Sequence, residues 1–244
     1  MRLSRIYVDL PLTGHTEYIL TGATAHYLSS VLRVQEGIPL ILFNGQGGQF
    51  EAPVQWMRKG TIRVRTGDYK AVERESPLTI FLGHSVCRGE RSDYVIQKAT
   101  ELGVMRVDPL LTDRTVVRLA AQRAARRVAH WQSIAVQACE QCGRNRVPKV
   151  SSIKHIAEWL INHPENSSRL ILDTNAHHGV GAIPTPIGPV VILVGPEGGL
   201  TSQELRLAKT LGFSAVNLGP RTLRADTATI AGLVALQLHF GDLS

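Results

Sequence analysis

Two stretches share one design: residues 194–204, VGPEGGLTSQE, and residues 218–229, LGPRTLRADTAT. Each comes at the end of a short apolar run (190–194 and 215–218), stops at Gly-Pro and gives way to a polar, helix-starting segment. That pattern reads as strand, tight turn, helix. In an open α/β sheet such turns lie at strand C-terminal ends, where backbone N–H groups and helix N-termini converge on a ligand. Gly198 and Gly199 leave out a Cβ where a ligand would approach the backbone. Thr201, with Glu204 three residues on, fits a capping box and predicts that the next helix begins there. One glycine-rich turn alone reads equally as an ordinary strand-to-helix connection. Two of them a short distance apart point to a site built from both.

Working outward, the pattern from residue 73 onward alternates strand and helix. Strands are expected at 78–83, 104–111 and 169–172. Helices are expected at 90–102, stopped by Gly103, at 120–142, stopped by Gly143, and at 153–162. A Gly/Pro-rich loop covers 175–189. This alternation predicts a mostly parallel sheet in an α/β domain. The last helix, 225–240, is apolar on nearly every side, through Ala228, Ile230, Ala231, Leu233, Val234, Leu236, Leu238 and Phe240. Such a helix is expected to be buried all round, inside the monomer or against a second subunit.

Residues 1–72 read differently. Short β-like runs at 5–8, 39–43, 50–57 and 61–66 are separated by hairpin signals such as Asn44-Gly45 and Gly47-Gly48. One helix is expected at 24–34, with Tyr27, Leu28, Val31 and Leu32 on its apolar face. Together these predict a small β-barrel with one helix, which spacing does not distinguish from an OB-type barrel. The charged stretch 70–77, ending in proline, reads as a linker, so the domains are 1–72 and 73–244.

The 244 residues and 43% hydrophobic content are enough for a substantial core. Three cysteines with no signal-like segment before them suggest a reducing, cytoplasmic setting, and no apolar run is long enough to span a bilayer. The net charge of +7 points to a polyanionic partner, and its distribution is uneven. Residues 1–72 hold 8 basic and 5 acidic residues, 73–150 hold 13 and 8, and 151–244 hold 6 and 7. The basic excess thus lies away from the paired turns. That suits a chain that grips a phosphate backbone with its first part and a small ligand with its last. Cys139 and Cys142 form a CxxC without a second pair, and His177 and His178 are adjacent, so no metal is expected. Arg144 and Arg146 follow a helix stop as candidate phosphate ligands. Arg88 and Arg91 stand at a helix start, where they oppose the helix dipole unless an anion compensates.

The segments GPEGGLTSQE (195–204), LGPRTLRADTA (218–228), QKATELGV (97–104) and ACEQCGRNRVP (138–148) resemble the RsmE family, and the likeness runs from RIYV near the N-terminus to the closing FGDL. Members are SPOUT-class, S-adenosylmethionine-dependent methyltransferases that act on N3 of a uridine in 16S ribosomal RNA of the small subunit. The resemblance implies a trefoil-knotted C-terminal domain, a PUA-like N-terminal domain that binds RNA, and a homodimer. It implies a cofactor on the backbone of Gly195, Pro196, Glu197, Gly198 and Gly199 and of residues 218–223, Leu218, Gly219, Pro220 and Leu223 among them, with Leu172 to Thr174 as a third wall. RNA contacts are expected from Arg5, His26, Arg33, Arg88, Arg91, Arg144, Arg146 and Arg221. At the second turn Asp226 stands where members often carry Glu, its reach shorter by a methylene.

Uracil N3 attacks a methyl sulfonium well only after, or while, its proton leaves, and a cation would stabilise the charge that then spreads onto the carbonyl oxygens. Arg224 is the candidate cation, with Arg221 second and Asp226 as its orienter or as a helix N-terminal anion. Two rivals stand beside this reading: a non-catalytic RNA-binding protein, and an RNA methyltransferase of the same class with another target nucleotide. A nicotinamide enzyme is disfavoured, because no G-x-G-x-x-G follows a strand.

Overall fold

Short alternating strands in the first seventy residues build a six-stranded sheet, and the strand–helix alternation after residue 76 builds a seven-stranded one. In the computed structural model, which describes residues 3–58, 60–116 and 120–243, these sheets belong to two units. The first comprises Met1–Glu75 with Cys139–Val147, and the second Ser76–Ala138 with Pro148–Ser244. The first segment of the first unit thus ends at Glu75. The loop after the long helix, however, belongs with the first unit.

In the first unit β1 (Ser4–Tyr7), β2 (Glu17–Thr21), β3 (Pro39–Phe43), β4 (Gln49–Arg58), β5 (Thr61–Arg65) and β6 (Tyr69–Lys70) pair in the order β1-β3-β4-β5-β2, with β6 on β4. Strand β4 is ten residues long and irregular between Val54 and Trp56, so its first half pairs with β3 and its second with β5. The sheet surrounds one apolar cluster that includes Ile6, Leu20, Leu28, Leu40, Leu42, Val54, Ile62 and Val64. Among the described residues no pairing joins β1 to β2, so the ladder is not closed as a barrel. Strand β2 had no clear signal, because only Leu20 of its five residues is buried. The expected 24–34 helix is shorter: α1 (Gly22–His26) passes into a π-turn over Tyr27–Val31. Of its apolar face Leu28 is buried, whereas Tyr27 and Val31 are exposed.

The second unit contains β7 (Ile80–Ser85), α2 (Arg91–Glu101), β8 (Arg106–Leu111), most of α3 (Ala121–Cys142), β9 (Lys149–Val150), β10 (Lys154–His155), α4 (Ile156–Leu160), β11 (Ser168–Leu172), β12 (Val190–Val194), α5 (Ser202–Thr210), β13 (Ser214–Val216) and α6 (Ala225–Phe240). Its strands run parallel in the order β10-β8-β7-β12-β11-β13, with β9 beside β8. Every residue of β12 is buried, as a strand covered on both faces requires. Helix α4 is half the expected length because residues 154–155 extend the sheet instead.

Helix α6 packs over β11 and β12 at Gly232, where an added Cβ would stand 3.0 Å from Leu172 Cδ1 and 3.3 Å from Ile192 Cδ1. Its far end is pinned by buried Gln237, whose Oε1 accepts from Ser76 Oγ (2.7 Å) and whose Nε2 donates to the Leu102 carbonyl (2.7 Å). Within the monomer the helix is not covered all round. Leu233 and Leu236 are fully buried, Ile230, Ala231 and Val234 are half-buried, and Leu238 is 50% exposed.

Candidate functional site

Strands β12, β11 and β13 are neighbours, and their C-terminal ends lead into residues 195–201, 173–179 and 217–224. The three segments enclose a cavity of about 500 Å³, in the size range of small-molecule sites. Leu172, Thr174, Gly195, Pro196, Glu197, Gly198, Gly199, Leu218, Gly219 and Leu223 line it, as do Arg221 and Arg224. The structure thus brings the two Gly-Pro turns together. Pro220 and Asp226 are not among the lining residues.

The first turn is held from several sides. Arg114 Nη1 donates to the Gly198 carbonyl (2.8 Å), and Arg91 Nη1 pairs with Glu197 Oε1 (2.9 Å). Beyond it Thr201 caps α5 in a full capping box: Glu204 Oε2 accepts the Thr201 N–H (2.7 Å), and the Glu204 N–H reaches Thr201 Oγ1 (3.3 Å). Buried Glu204 also takes the Asp113 N–H through Oε1 (2.9 Å).

Gly199 sits at φ +70° and has nothing within 4 Å of a would-be Cβ. A Cβ on Gly198 would instead meet Arg114, at 3.5 Å. The open approach therefore belongs to Gly199.

The second turn is tied chiefly by one residue that the pattern did not single out. Asn217 donates from its backbone N–H to the His178 carbonyl (2.9 Å) and from Nδ2 to the Ala176 carbonyl (2.6 Å), while its Oδ1 accepts the Gly219 N–H (3.3 Å). It thereby joins this turn to the loop that carries Asp173, Thr174 and Asn175. Asn175, Asn217 and Arg114 line the cavity without having been expected. An Asn directly after a short strand is a turn signal, and it was available in the sequence.

Arg224 is the N-cap of α6 and is exposed; among the described residues its side chain makes no hydrogen bond or ion pair. The same holds for Arg221, Arg88 and Arg33. Arg33 stands at φ +49°, a backbone conformation that L-residues rarely adopt. Asp226 lies in the first turn of α6, where its Oδ1 accepts the Thr227 N–H (3.0 Å). A carboxylate there suits the helix dipole. A second cavity, lined by Arg88, Gly89, Glu90, Arg91, Val116 and Glu197, shares Glu197 with the first.

In the first unit Arg144 departs from its expected role. Its side chain is 3% exposed and engages both carboxylate oxygens of Glu75, so it is a structural cation and not one offered to a phosphate. Arg5 is half-buried and committed within the same unit. It donates to Gln49 Oε1 (2.6 Å), to Asn145 Oδ1 (2.6 Å) and to the Arg144 carbonyl (3.0 Å), with the Phe43 ring 4.7 Å away. Exposed Arg146 pairs loosely with Glu73 (3.5 Å), and the exposed His26 ring lies 3.3 Å from Ser30 Oγ.

Comparison with known proteins places this geometry. The family model described as an RNA methyltransferase domain matches residues 74–237. The chain is 32% identical to ribosomal RNA small subunit methyltransferase E of Buchnera aphidicola from Schizaphis graminum, over 100% of this chain and 99% of that one. It is 29% identical to the Bacillus subtilis protein of the same name, over 96% of each. Among solved structures it is similar to a Neisseria gonorrhoeae ribosomal RNA small subunit methyltransferase E bound to S-adenosyl methionine (37% identity, TM-score 0.94, full coverage of both). It is similar also to a Legionella pneumophila protein in complex with SAM (35% identity, TM-score 0.96, full coverage of both).

Proposed function

We propose, from the premise that this chain belongs to the RNA methyltransferase family and to its ribosomal RNA small subunit methyltransferase E members, that it transfers a methyl group from S-adenosylmethionine to N3 of a uridine in 16S ribosomal RNA. One observation carries the reading: the two Gly-Pro turns wall a single cavity that Arg221 and Arg224 also line, and among the described residues neither side chain makes a hydrogen bond or ion pair. The residues suit the cofactor. Gly199 and Gly219 both line the cavity at positive φ, with nothing within 4 Å of a would-be Cβ, which leaves room for a ligand against the backbone. Backbone of Gly195–Gly199 and Leu218–Leu223, with Leu172 and Thr174, would hold the nucleoside, and the bound sulfonium supplies the transferable methyl group. Arg224 stabilises the charge that spreads onto the uracil carbonyl oxygens as the N3 proton leaves. Arg33, Arg88, Arg91, Arg146, Arg221 and His26 serve the RNA; Arg5 and Arg144 support the unit that carries Arg33 and Arg146.

Several finer readings go with this proposal. The position of β12 between β7 and β11, strands that precede it in the chain, supports the trefoil knot. The curled sheet of the first unit supports a PUA-like RNA-binding domain. The partly uncovered apolar side of α6 supports a homodimer, testable by sedimentation. No helix among the described residues is long and apolar enough to cross a membrane, and the proposed setting is the cytoplasm.

The deciding experiment incubates the protein with labelled S-adenosylmethionine and either small ribosomal subunits or their stripped RNA, followed by nucleoside analysis. We expect 3-methyluridine. Absence of cofactor binding would leave a non-catalytic RNA-binding protein. Label on another nucleoside would mean a different target.

A further inference from the structure

Beneath the cavity lies a buried group that the proposed chemistry does not use. His84, near the end of β7, is paired in register with Val194, which lines the cavity, and its side chain is only 4% exposed. Its Nδ1 is 3.1 Å from Thr229 Oγ1, and its Nε2 is 3.6 Å from Cys87 Sγ. Thr229 is fully buried in α6, and its hydroxyl lies 2.7 Å from the Ala225 carbonyl.

These contacts fix where the protons are. A carbonyl only accepts, so the single proton of the Thr229 hydroxyl goes to Ala225. The contact between Thr229 and His84 then needs its proton from the ring, on Nδ1. Nε2 is left as a lone pair facing the Cys87 thiol. Burial lowers His84 to a pKa of about 4 even though Glu197 and Asp226 both raise it, so the ring is neutral near pH 7. Burial chiefly, with the Glu197 and Asp226 charges adding and Arg91 opposing, pushes Cys87 up to about 12, so the thiol keeps its proton. That proton has His84 Nε2 and the Ser85 carbonyl (3.5 Å) within reach, with Glu197 as a further acceptor.

We propose that His84 is a positioning residue: held as the neutral Nδ1–H tautomer, it hangs the first turn of α6, and with it the Arg224 N-cap, from the end of β7. Ala225, where the chain of hydrogen bonds ends, lines the cavity and directly follows Arg224. At its other end the chain meets Cys87, whose N–H is anchored on Ser92 Oγ (3.0 Å). A hydrogen-bonded path of uncharged groups thus runs from the entry of α2 to the start of α6.

The test has an arm that needs no variant. In the wild-type protein at pH 7, the two-bond ¹H–¹⁵N correlation of the His84 ring should show the neutral Nδ1–H form. The Nε2–H tautomer or an imidazolium would overturn the proposal. The second arm compares His84→Asn, whose carboxamide N–H stands near the Nδ1 position, with His84→Leu, which fills similar space without a donor. By calorimetry the Asn variant should bind S-adenosylmethionine within about threefold of wild type, and the Leu variant about tenfold more weakly, the loss of one hydrogen bond. Equal loss in both, with both folded by circular dichroism, would assign His84 to packing alone. If the Leu variant does not fold, the ring spectrum and the Asn variant decide. The ligand in this arm rests on the proposed function; wild-type protein that bound no S-adenosylmethionine would defeat that reading, while the tautomer would still test this one.

Discussion

The two Gly-Pro turns look alike in sequence and are held very differently. The turn after β12 is fastened by Arg91, by Arg114 and by a capping box whose glutamate is buried. The turn after β13 hangs mainly on Asn217 and carries Arg221, Thr222 and Arg224 exposed on the rim. A small rigid ligand is best bound by the first kind of wall, because little conformational freedom remains to be lost on binding. A long, variable polyanion is best met by the second, whose guanidiniums are not engaged by any described residue. The lesson is that one motif, used twice, divides into a fixed wall and an adaptable rim according to what its neighbours do.

The largest test of this division is at the rim. Arg224→Ala should lower the single-turnover methylation rate by roughly a hundredfold or more, the scale of losing a preorganised electrostatic donor. Cofactor affinity measured by calorimetry should not move. A variant whose whole loss lay in RNA affinity would make the rim a positioning surface and not a catalytic one.

Acid should act next, and from below both turns. His84 is held at about 4 against an unfolded value of 6.5, so between those values the unfolded chain binds the extra proton and folding weakens as pH falls. The stabilisation is complete above pH 6.5 and declines by about 3 kcal/mol towards pH 4, to order of magnitude. Burial also lowers His163 to about 4, with Arg169 and Arg106 adding, so it acts in the same direction. Urea titrations across that window should show the fall, and His84→Asn should flatten it. A slope unchanged in the variant would exclude His84 as its source.

On the fixed wall the effects are smaller and should differ between adjacent glycines. Gly199→Ala forces a side chain into the left-handed region at about 1–2 kcal/mol, so cofactor affinity should fall roughly tenfold as the loop relaxes. Gly198→Ala should bind almost as wild type, since its Cβ would make ordinary contact with Arg114. Equal effects would mean that the cofactor does not rest on Gly199. The smallest effect is expected from Arg91→Gln. Its pair with Glu197 is well exposed, and such pairs contribute about 0–1 kcal/mol, so the melting temperature should barely change. A large drop would show the first turn to be less independently fixed than its hydrogen bonds indicate.

Much of this was legible in the sequence because its signals are local. Strand β12, the capping box at Thr201 and the limits of α6 follow from apolar runs, Gly-Pro stops and residue spacing within a dozen positions. What was not legible depends on partners far along the chain. Arg144 looked like a phosphate ligand because Glu75, 69 residues earlier, gives no local sign of its claim. His84 sits inside an apolar run and is explained only by Thr229, 145 residues later. Strand β2 was missed for another reason: an edge strand with one buried residue has almost no alternation to read.

The membership of residues 139–147 in the first unit has a consequence for synthesis. Glu140 receives the Tyr7 N–H (2.8 Å), Asn145 accepts the Gly47 N–H (3.1 Å), and Arg144 neutralises the largely buried Glu75. These partners leave the ribosome only after residues 76–138 of the other unit have been made, roughly 3–13 seconds later at ordinary elongation rates. Through that interval the N-terminal sheet has Glu75 without its cation and the Tyr7 and Gly47 amides without acceptors. The first unit to begin emerging therefore cannot be completed until the first segment of the other has been made, and a gene fragment cut at residue 75 would encode a domain that lacks its own closing piece.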